Sequence, residues 1–363
     1  MSTSEFDGLR PPEATGPRGG KRRKRRRGAG GGGDGSREMP MVPDAEFSSY
    51  YGRPVVKPAP WSHEIAAYLF LGGLAGGSGL LAAGAQLTGR PTLRRNARLS
   101  ALAAVGLSGA ALVMDLGRPE RFLNMMRTVK PTSPMNMGTW ILSAFGTGTG
   151  IATVAEIDRL SAARLPLGPL RAALRAAEAP AGLAAALFGP LLAAYTAMLL
   201  SDTATPTWNA ARHELPFVFV GSAALAAGGL AMITTPAAET VPARRLALLG
   251  AAAELVATKV MHHRMDPVAA EPLHRGRSGR MLRWSHALTI AGGAGTALGG
   301  HHRGVAAASG LALMASSALT RFGVFDAGIA SARDPRYTVE PQKNRLAARR
   351  QAGITHDSIT TAR

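Results

Sequence analysis

The sequence of 363 residues contains no cysteine. This excludes disulfide bonds, thiolate ligation of iron–sulfur clusters by this chain, and catalysis by a cysteine nucleophile. Acidic residues are also few, with 23 Asp and Glu against 42 Lys and Arg, which gives a formal net charge of +19. Any iron–sulfur cluster that works with this chain must therefore be bound by another protein.

Charge is scarcest in eight apolar runs in the middle of the chain. Each has about the 20 residues that a helix needs to cross a bilayer. None alternates with a period of two, so helices are predicted rather than the strands of a barrel. The runs lie at 64–87, 97–115, 135–157, 179–201, 214–235, 243–261, 281–299 and 303–322. The sequence thus predicts an all-α integral membrane protein.

The alternative is a soluble, Ala-rich bundle whose core helices are apolar on every side. The last three runs are less strongly apolar and would also suit a soluble bundle. The stretches 65–87 and 181–200, however, contain no charged residue. A soluble helix of that length would normally show a charged face, so the first five runs favour the membrane.

The two ends of the chain differ from this middle. Residues 1–60 are polar, rich in Gly and Pro, and contain the basic cluster 21–27, so a disordered N-terminal extension is predicted. Residues 323–363 form a predicted basic C-terminal tail after a membrane domain at 61–322. The basic cluster suits nucleic acid or anionic lipid, but beside a membrane domain it is more simply a cytoplasmic retention signal.

Topology follows from that signal. With eight spans, both termini are expected on the cytoplasmic side of the inner membrane, and no nucleic-acid partner is expected. Arginines also occur in the opposite links, which makes the charge asymmetry uneven.

The most unusual segment is "MDLGRPERFLNMMRTVKPTSPMNMGTW" at 114–140, between the second and third runs. Asp115 ends the second run, and Arg118 and Arg121 follow at helical spacing, which would permit a carboxylate and guanidinium pair at the membrane edge. The prolines at 131 and 134 then end any helix before the third run begins.

This segment resembles the membrane subunit of polysulfide reductases, the NrfD-like family. The matching residues are Asp115-Leu116-Gly117-Arg118-Pro119, Arg121-Phe122, Asn124-Met125, Lys130-Pro131-Thr132-Ser133-Pro134-Met135 and Gly138-Thr139-Trp140. Further similarity lies in "YLFLGGLAGGS", in "YTAMLLSDTATPTW" and in "RFGVFDAGIASARDPRYTVEPQ". The resemblance covers roughly residues 61–345.

The resemblance implies eight membrane helices, here expected as two four-helix bundles, with no redox metal in this chain. It implies a quinone site near one membrane face, where menaquinone or ubiquinone exchanges electrons with a ferredoxin-like iron–sulfur subunit. That subunit usually joins a molybdopterin catalytic subunit. The polar link 116–134 is then the expected docking platform, with Arg118, Arg121, Lys130 and Ser133 as its candidate residues.

Quinone chemistry points to particular side chains, because reduction takes two electrons and two protons and requires hydrogen-bond donors. His63 and Tyr68 begin the first run, and Tyr195 lies in the fourth. Asp115 and Asp202 end the second and fourth runs at the same expected membrane face. These five are the candidate quinone residues. Alternatively, both tyrosines are interfacial anchors.

Charged groups in the sixth run suggest a proton route. Glu254 and Lys259 are five residues apart, which is poor spacing for an intrahelical pair, and Lys259 more simply extends to the membrane surface. Only His286 lies well inside a run, so no bis-histidine haem is predicted, and no motif predicts another metal site.

Two other functions compete with a quinone-handling subunit. One is a secondary transporter in which Asp115, Glu254 and Lys259 couple ions to a substrate. The absence of a repeat of the 114–140 motif in the second half disfavours it. The other is a structural anchor that has lost quinone binding.

Overall fold

A computed structural model describes residues 54–116, 118 and 120–353, apart from the side chains of 121–123. Within these residues all regular elements are helices, and no strand occurs. The long helices are α1 (His63–Leu87), α2 (Pro91–Asp115), α4 (Pro134–Leu160), α5 (Leu170–Ser201), α7 (Leu215–Thr234), α8 (Val241–Arg264), α10 (Gly276–Gly299) and α11 (Arg303–Arg333). The short ones are α3 (Glu120–Met125), α6 (Pro206–Ala210), α9 (Pro267–His274) and α12 (Arg336–Gln351), with a 3₁₀ turn at Ala237–Glu239.

Each of the eight apolar runs coincides with one of the long helices. Five of these helices, α1, α2, α5, α7 and α11, are long and apolar enough to cross a membrane. The all-helical class is therefore confirmed, with several apolar helices of membrane-spanning length. The remaining three, α4, α8 and α10, carry more polar and charged side chains. The predicted N-terminal extension lies outside the described residues up to position 53.

The last long helix is longer than the run that predicted it. α11 continues to Arg333, whereas the apolar run was expected to end at 322. Val324, Phe325 and Ala327 in the added part are buried in the core. The segment after 322 thus packs inside the helical assembly before the chain reaches α12.

The outward surfaces of the long helices are apolar. Large hydrophobic side chains on these surfaces are Leu107, Leu187, Phe217, Leu249, Val256, Trp284, Leu298 and Leu311, each at least 60% exposed. A soluble protein rarely leaves so much apolar surface open to water. These surfaces suit contact with lipid, in agreement with a membrane protein.

Helix boundaries follow from local chemistry. Proline occupies one of the first two positions of six of the described helices, where its missing N–H costs nothing, as in α2, α4 and α8. Asp266 caps α9 by accepting a hydrogen bond from the amide of Val268 at 2.9 Å. Gly89, with φ of +65°, provides the left-handed turn between α1 and α2.

Consecutive long helices run antiparallel, so their ends gather at two ends of the structure. We call one the Asp115 end; it holds the start of α1, the ends of α2, α5, α8 and α11, and the short helices α6 and α9. The other is the Glu239 end, where the Glu239 carboxylate accepts from the amide of Leu93 at 2.9 Å. There Arg303 also donates to the carbonyl of Met232 at 2.7 Å.

Helix α1 lies in the middle and is held by close backbone approaches. A Cβ atom on Gly76 would lie 2.3 Å from the carbonyl oxygen of Gly189 in α5. A Cβ atom on Gly77 would lie 2.6 Å from the Cβ of Ala227 in α7. Small residues allow such approaches between helices in lipid. This packing fixes the positions of His63 and Tyr68 on α1.

Candidate functional site

The carboxylate of Asp115 joins the end of α2 to the start of α1. Its Oδ1 atom accepts hydrogen bonds from the Ser62 hydroxyl at 3.1 Å and from the Ser62 amide at 3.3 Å. Ser62 is the N-cap residue of α1, where amide groups lack helical partners. Asp115 therefore has a structural contact in addition to any role in ligand binding.

A small cavity lies directly beside Asp115. Its volume is about 20 Å³, and Tyr195 and Asp115 both line it, together with Trp61, Met125 and Met135. Two of the five candidate quinone residues thus meet here. The cavity lies at the boundary between the core and the polar link that follows α2.

Tyr195 and Tyr68 form a buried pair behind this cavity. The two side chains are within hydrogen-bonding reach of each other, and they are only 7% and 1% exposed. Buried tyrosine hydroxyls normally require such a partner. Neither tyrosine is an interfacial anchor, because both face the core.

The ring of Tyr195 lies flat against Gly138 in α4. A Cβ atom on Gly138 would lie 1.7 Å from Cζ of Tyr195, which no real contact permits. Gly138→Ala is therefore expected to displace the ring and to lower stability by about 1–3 kcal/mol, the usual cost of overpacking. The melting temperature of the purified protein measures this.

Gly146→Ala is the matched control, since Gly146 lies on the same helix with open space around it. Alanine there should keep or slightly raise the melting temperature, because alanine favours helices over glycine. Equal melting temperatures for the two variants would contradict the close contact between Gly138 and Tyr195.

His63 points away from the tyrosine pair, toward α11. Its Nε2 atom lies 3.1 Å from Oδ1 of Asp326, and its ring stacks on Phe322 with centroids 6.0 Å apart. Since an ionised carboxylate only accepts, Nε2 is the protonated nitrogen and Nδ1 remains for another partner. His63 is half-exposed, so this pair lies at the edge of the core.

An aromatic cluster fills the space next to His63. Trp208 of α6 is fully buried and donates from Nε1 to the carbonyl of Val324 at 2.8 Å. It stacks on Trp61 at 6.0 Å and contacts Phe325 at 5.7 Å between centroids. The cluster joins the segment before α1 to α6 and α11.

The polar link after α2 is held by one buried side chain. Asn136 donates to the carbonyls of Met125 and Thr128, both at 2.9 Å, and accepts from the amide of Lys130 at 2.6 Å. These bonds fix the segment 125–130 against the start of α4. This part of the link is therefore held at the start of α4.

The candidate docking residues differ in how exposed their side chains are. Arg118 and Lys130 are exposed, and Ser133 is half-buried at the start of α4. The side chain of Arg121 lies outside what the structure describes. Asp202, a candidate quinone residue, is exposed at the end of α5 and does not line the cavity with Tyr195.

Comparison with known families agrees with this arrangement. The family model described as "Polysulphide reductase, NrfD" matches residues 55–261, which is more than half of the chain. The chain belongs to the NrfD family. No curated protein matches it significantly. The family is that of membrane subunits of quinone-linked oxidoreductases, so the resemblance seen in the sequence is confirmed.

This NrfD-family chain also contains a buried ionic network near the Glu239 end. Arg98 of α2 is 2% exposed and donates to Glu156 of α4 at 2.9 Å and to Glu178 of α5. Arg94 and Arg159 complete the network. Because three helices supply its charges, the network ties α2, α4 and α5 together.

A second buried cation joins α5 and α7 of this NrfD-family chain to α11. Arg321 of α11 is 0% exposed; it donates to the carbonyl of Phe219 at 2.6 Å and to the hydroxyl of Thr196 at 3.3 Å. Its guanidinium carbon lies 3.7 Å from the centroid of the Phe219 ring. Arg321 thus contacts the residue that follows Tyr195 in α5.

Glu254 of α8 lies on the other side of Arg321. It interacts electrostatically with the guanidinium, and its Oε1 atom accepts from Thr320 at 2.6 Å. Lys259 is exposed on the same helix and makes no close pair with Glu254 in the described contacts. A polar path therefore runs from Thr196 through Arg321 and Thr320 to Glu254.

Among the described residues, no group of three or more metal-ligating side chains is close enough to hold a metal ion. The sequence contains no cysteine for an iron–sulfur cluster.

Several site residues were absent from the sequence-based candidates. They are Asp326, Arg321, Arg98, Glu156, Glu178 and Asn136. Arg98, Glu156 and Arg321 are charges inside an apolar run, which is a signal for a buried functional or structural group, and Glu178 lies one residue before the fourth run. Asp326 lies just after the last run, within a segment already noted for its resemblance.

Proposed function

We propose that this chain is the membrane anchor and quinone-interacting subunit of a multi-subunit oxidoreductase of the molybdopterin type. Electrons would pass between the quinone pool and an iron–sulfur subunit. The observation that carries the proposal is the meeting of Tyr195 and Asp115 at one cavity, which Leu116 and Met125 of the polar link segment also line. Membership of the NrfD family supports it.

The residues around the cavity have the chemistry that a quinone head requires. The Tyr195 hydroxyl donates a hydrogen bond to a carbonyl oxygen, and Tyr68 behind it keeps that hydroxyl oriented. At about 20 Å³ the cavity holds little more than one water molecule. Entry of a quinone ring thus requires Met125 and Met135, whose flexible side chains line it, to rearrange.

Protons would leave or enter on two sides of this site. His63, paired with Asp326 and half-exposed, is suited to exchange protons with water at the Asp115 end. On the inner side, the path through Arg321 to Glu254 is a proposed proton route. Lys259 is the nearest cation toward the surface along α8, in keeping with a long side chain that reaches the membrane edge.

We further propose that all eight long helices cross the inner membrane as two four-helix bundles. The packing supports this, because Arg98 of α2 pairs with α4 and α5 and donates to Gln86 of α1 at 2.6 Å, while α7, α8, α10 and α11 pack with one another. An even number of spans puts both termini on one side. The basic cluster at 21–27 favours the cytoplasm for that side.

The iron–sulfur partner is proposed to dock on the polar link, where Arg118 and Lys130 are exposed. Arg118→Glu is expected to lower retention of the partner by about tenfold. The reason is that electrostatic repulsion at the rim of an interface costs on the order of 1 kcal/mol or more. Co-purification from mild detergent measures the retention.

Arg164→Glu is the matched control, because Arg164 is equally exposed but lies at the Glu239 end. It should retain the partner at the level of the unaltered protein. Equal retention by both variants would remove Arg118 from the docking surface.

The experiment that tests the function is mass spectrometry of proteins that co-purify with the tagged chain from gently solubilised membranes. Recovery of an iron–sulfur protein, with quinol-dependent electron transfer in the complex, is the expected result. Recovery of the chain alone from several mild detergents would overturn the proposal and favour a transporter.

A further inference from the structure

A second cavity, much larger than the one beside Tyr195, lies elsewhere in the described structure. It has a volume of about 570 Å³ and lies between α8, α9, α10 and α11. Its lining includes Glu254, Lys259, His262, Ser285, His286 and Thr289, together with apolar side chains. This volume falls within the range of sites for drug-sized ligands.

Two buried polar atoms at this cavity have no hydrogen-bond partner within the described part of the chain. They are Oε2 of Glu254 and Nε2 of His262. Ser222 is near the Glu254 carboxylate, but its hydroxyl donates to Ser317 at 2.9 Å. Unsatisfied buried groups are rare in native proteins and require a bound molecule or water. Both residues line the cavity that such a molecule would fill.

A chain of hydroxyl groups forms the polar wall of the cavity. Ser285 lies 2.6 Å from Thr320 and 3.0 Å from Ser316, and Thr320 in turn donates to Glu254. The carboxylate is ten residues before the end of α8, or about 15 Å along the helix. The polar wall therefore lies at a depth where a free aqueous ion would be costly.

The helices that border the cavity also face the lipid. Val256 of α8 lines it and is 63% exposed, while Lys259 and His286 are exposed on α8 and α10. A molecule dissolved in the bilayer would thus reach the cavity from the side, between α8 and α10. The cavity has apolar walls and one polar wall, so a molecule with an apolar body and a polar ring would fit it.

We propose that this cavity is a second binding site for a quinone-class head group, separate from the one beside Tyr195. A quinone ring offers two carbonyl acceptors on opposite sides. Lys259 and His286 are the donors on the side of the opening, and Glu254 in its protonated form is the donor at the inner wall. This second site rests on one part of the proposed function, namely that the chain binds quinone from the membrane.

The test uses an azido-quinone with a short tail, photolysed with the purified complex in lipid nanodiscs. Labelled peptides are located by mass spectrometry. Label is expected on α8 and α10 as well as on the helices near Tyr195. Excess unlabelled quinone should remove it.

The double variant Lys259→Met with His286→Leu tests the donors. Both side chains are exposed, so folding should be unaffected. Label on α8 and α10 should fall by about tenfold, as expected for the loss of hydrogen bonds to the ligand. The matched control is His263→Leu with Arg280→Met, since these residues are exposed on the same two helices and do not line the cavity.

The outcomes separate this inference from the proposed function. Label confined to α1 and α5 would overturn the second site and leave the proposed function intact. Label on α8 and α10 that excess unlabelled quinone does not remove, or that persists in the double variant, would indicate a lipid-binding groove without preference for quinone. That result would also overturn the second site. Label on α8 and α10 alone would support the second site and remove the quinone from Tyr195.

Discussion

Tyr195→Phe is expected to lower the rate of quinone-dependent electron transfer by roughly 100-fold. This is the lower end of the rate loss expected when a proton-donating group is removed. The hydroxyl of Tyr195 is at the cavity that Asp115 also lines, while the ring itself is fixed by Gly138. Phenylalanine preserves the ring and its packing, so the fold is retained and only the donor is lost.

The measurement is quinol oxidation by the purified complex, with separate kcat and KM. Tyr337→Phe is the control, because Tyr337 lies in α12, where its hydroxyl is 3.5 Å from Glu271 at the surface. That variant should keep full activity. Unchanged kinetics in Tyr195→Phe would remove this tyrosine from the quinone site.

Arg98→Met is expected to be the most destabilising single change in the described core. Arg98 is buried against Glu156 and Glu178, and its loss leaves two buried carboxylates with less positive charge nearby. Breaking a buried ion pair in this way costs about 3–5 kcal/mol. A large drop in the melting temperature and in the yield of membrane-inserted protein should follow.

Arg95→Met is the control, since Arg95 lies on the same helix and donates to the amide side chain of the neighbouring Asn96 at 3.3 Å rather than to a buried carboxylate. It should keep near-normal stability. Adding Glu156→Gln and Glu178→Gln to Arg98→Met should restore part of the loss, because neutral amides do not need the guanidinium. A triple variant no more stable than Arg98→Met alone would contradict the ionic cause.

The helices were predictable from the sequence because long apolar runs have few alternatives in a bilayer. The run at 179–201, for example, lies within α5, although Pro180 and Pro190 are inside that helix. Helix ends were less predictable. α5 begins at Leu170 because the charged residues before the run remain helical, with Arg171 paired to Asp158 at 3.0 Å.

The candidate site was predicted only in part, because periodicity does not show which helices become neighbours. Tyr195 was chosen for its place in an apolar run, and it does face the core. His63 and Tyr68, predicted together, lie about 140° apart around the helix and face different neighbours. The partner of His63, Asp326, is 263 residues away in the sequence.

Two glycines also show that the sequence does not reveal which helix surfaces become neighbours. Gly138 and Gly146 are both in α4 and look alike in the sequence, yet one lies against Tyr195 and the other faces open space. Only the three-dimensional packing distinguishes them.

The contact between His63 and Asp326 has a consequence for biogenesis. A ribosome releases α1 long before it has made α11, so the first helix must wait in the membrane without its partner. The stacking of Trp61 on Trp208 and the contact of Trp208 with Phe325 join the same early and late segments. The Asp115 end is therefore completed only when the final long helix has been inserted, and a chain truncated before α11 would lack a finished surface there.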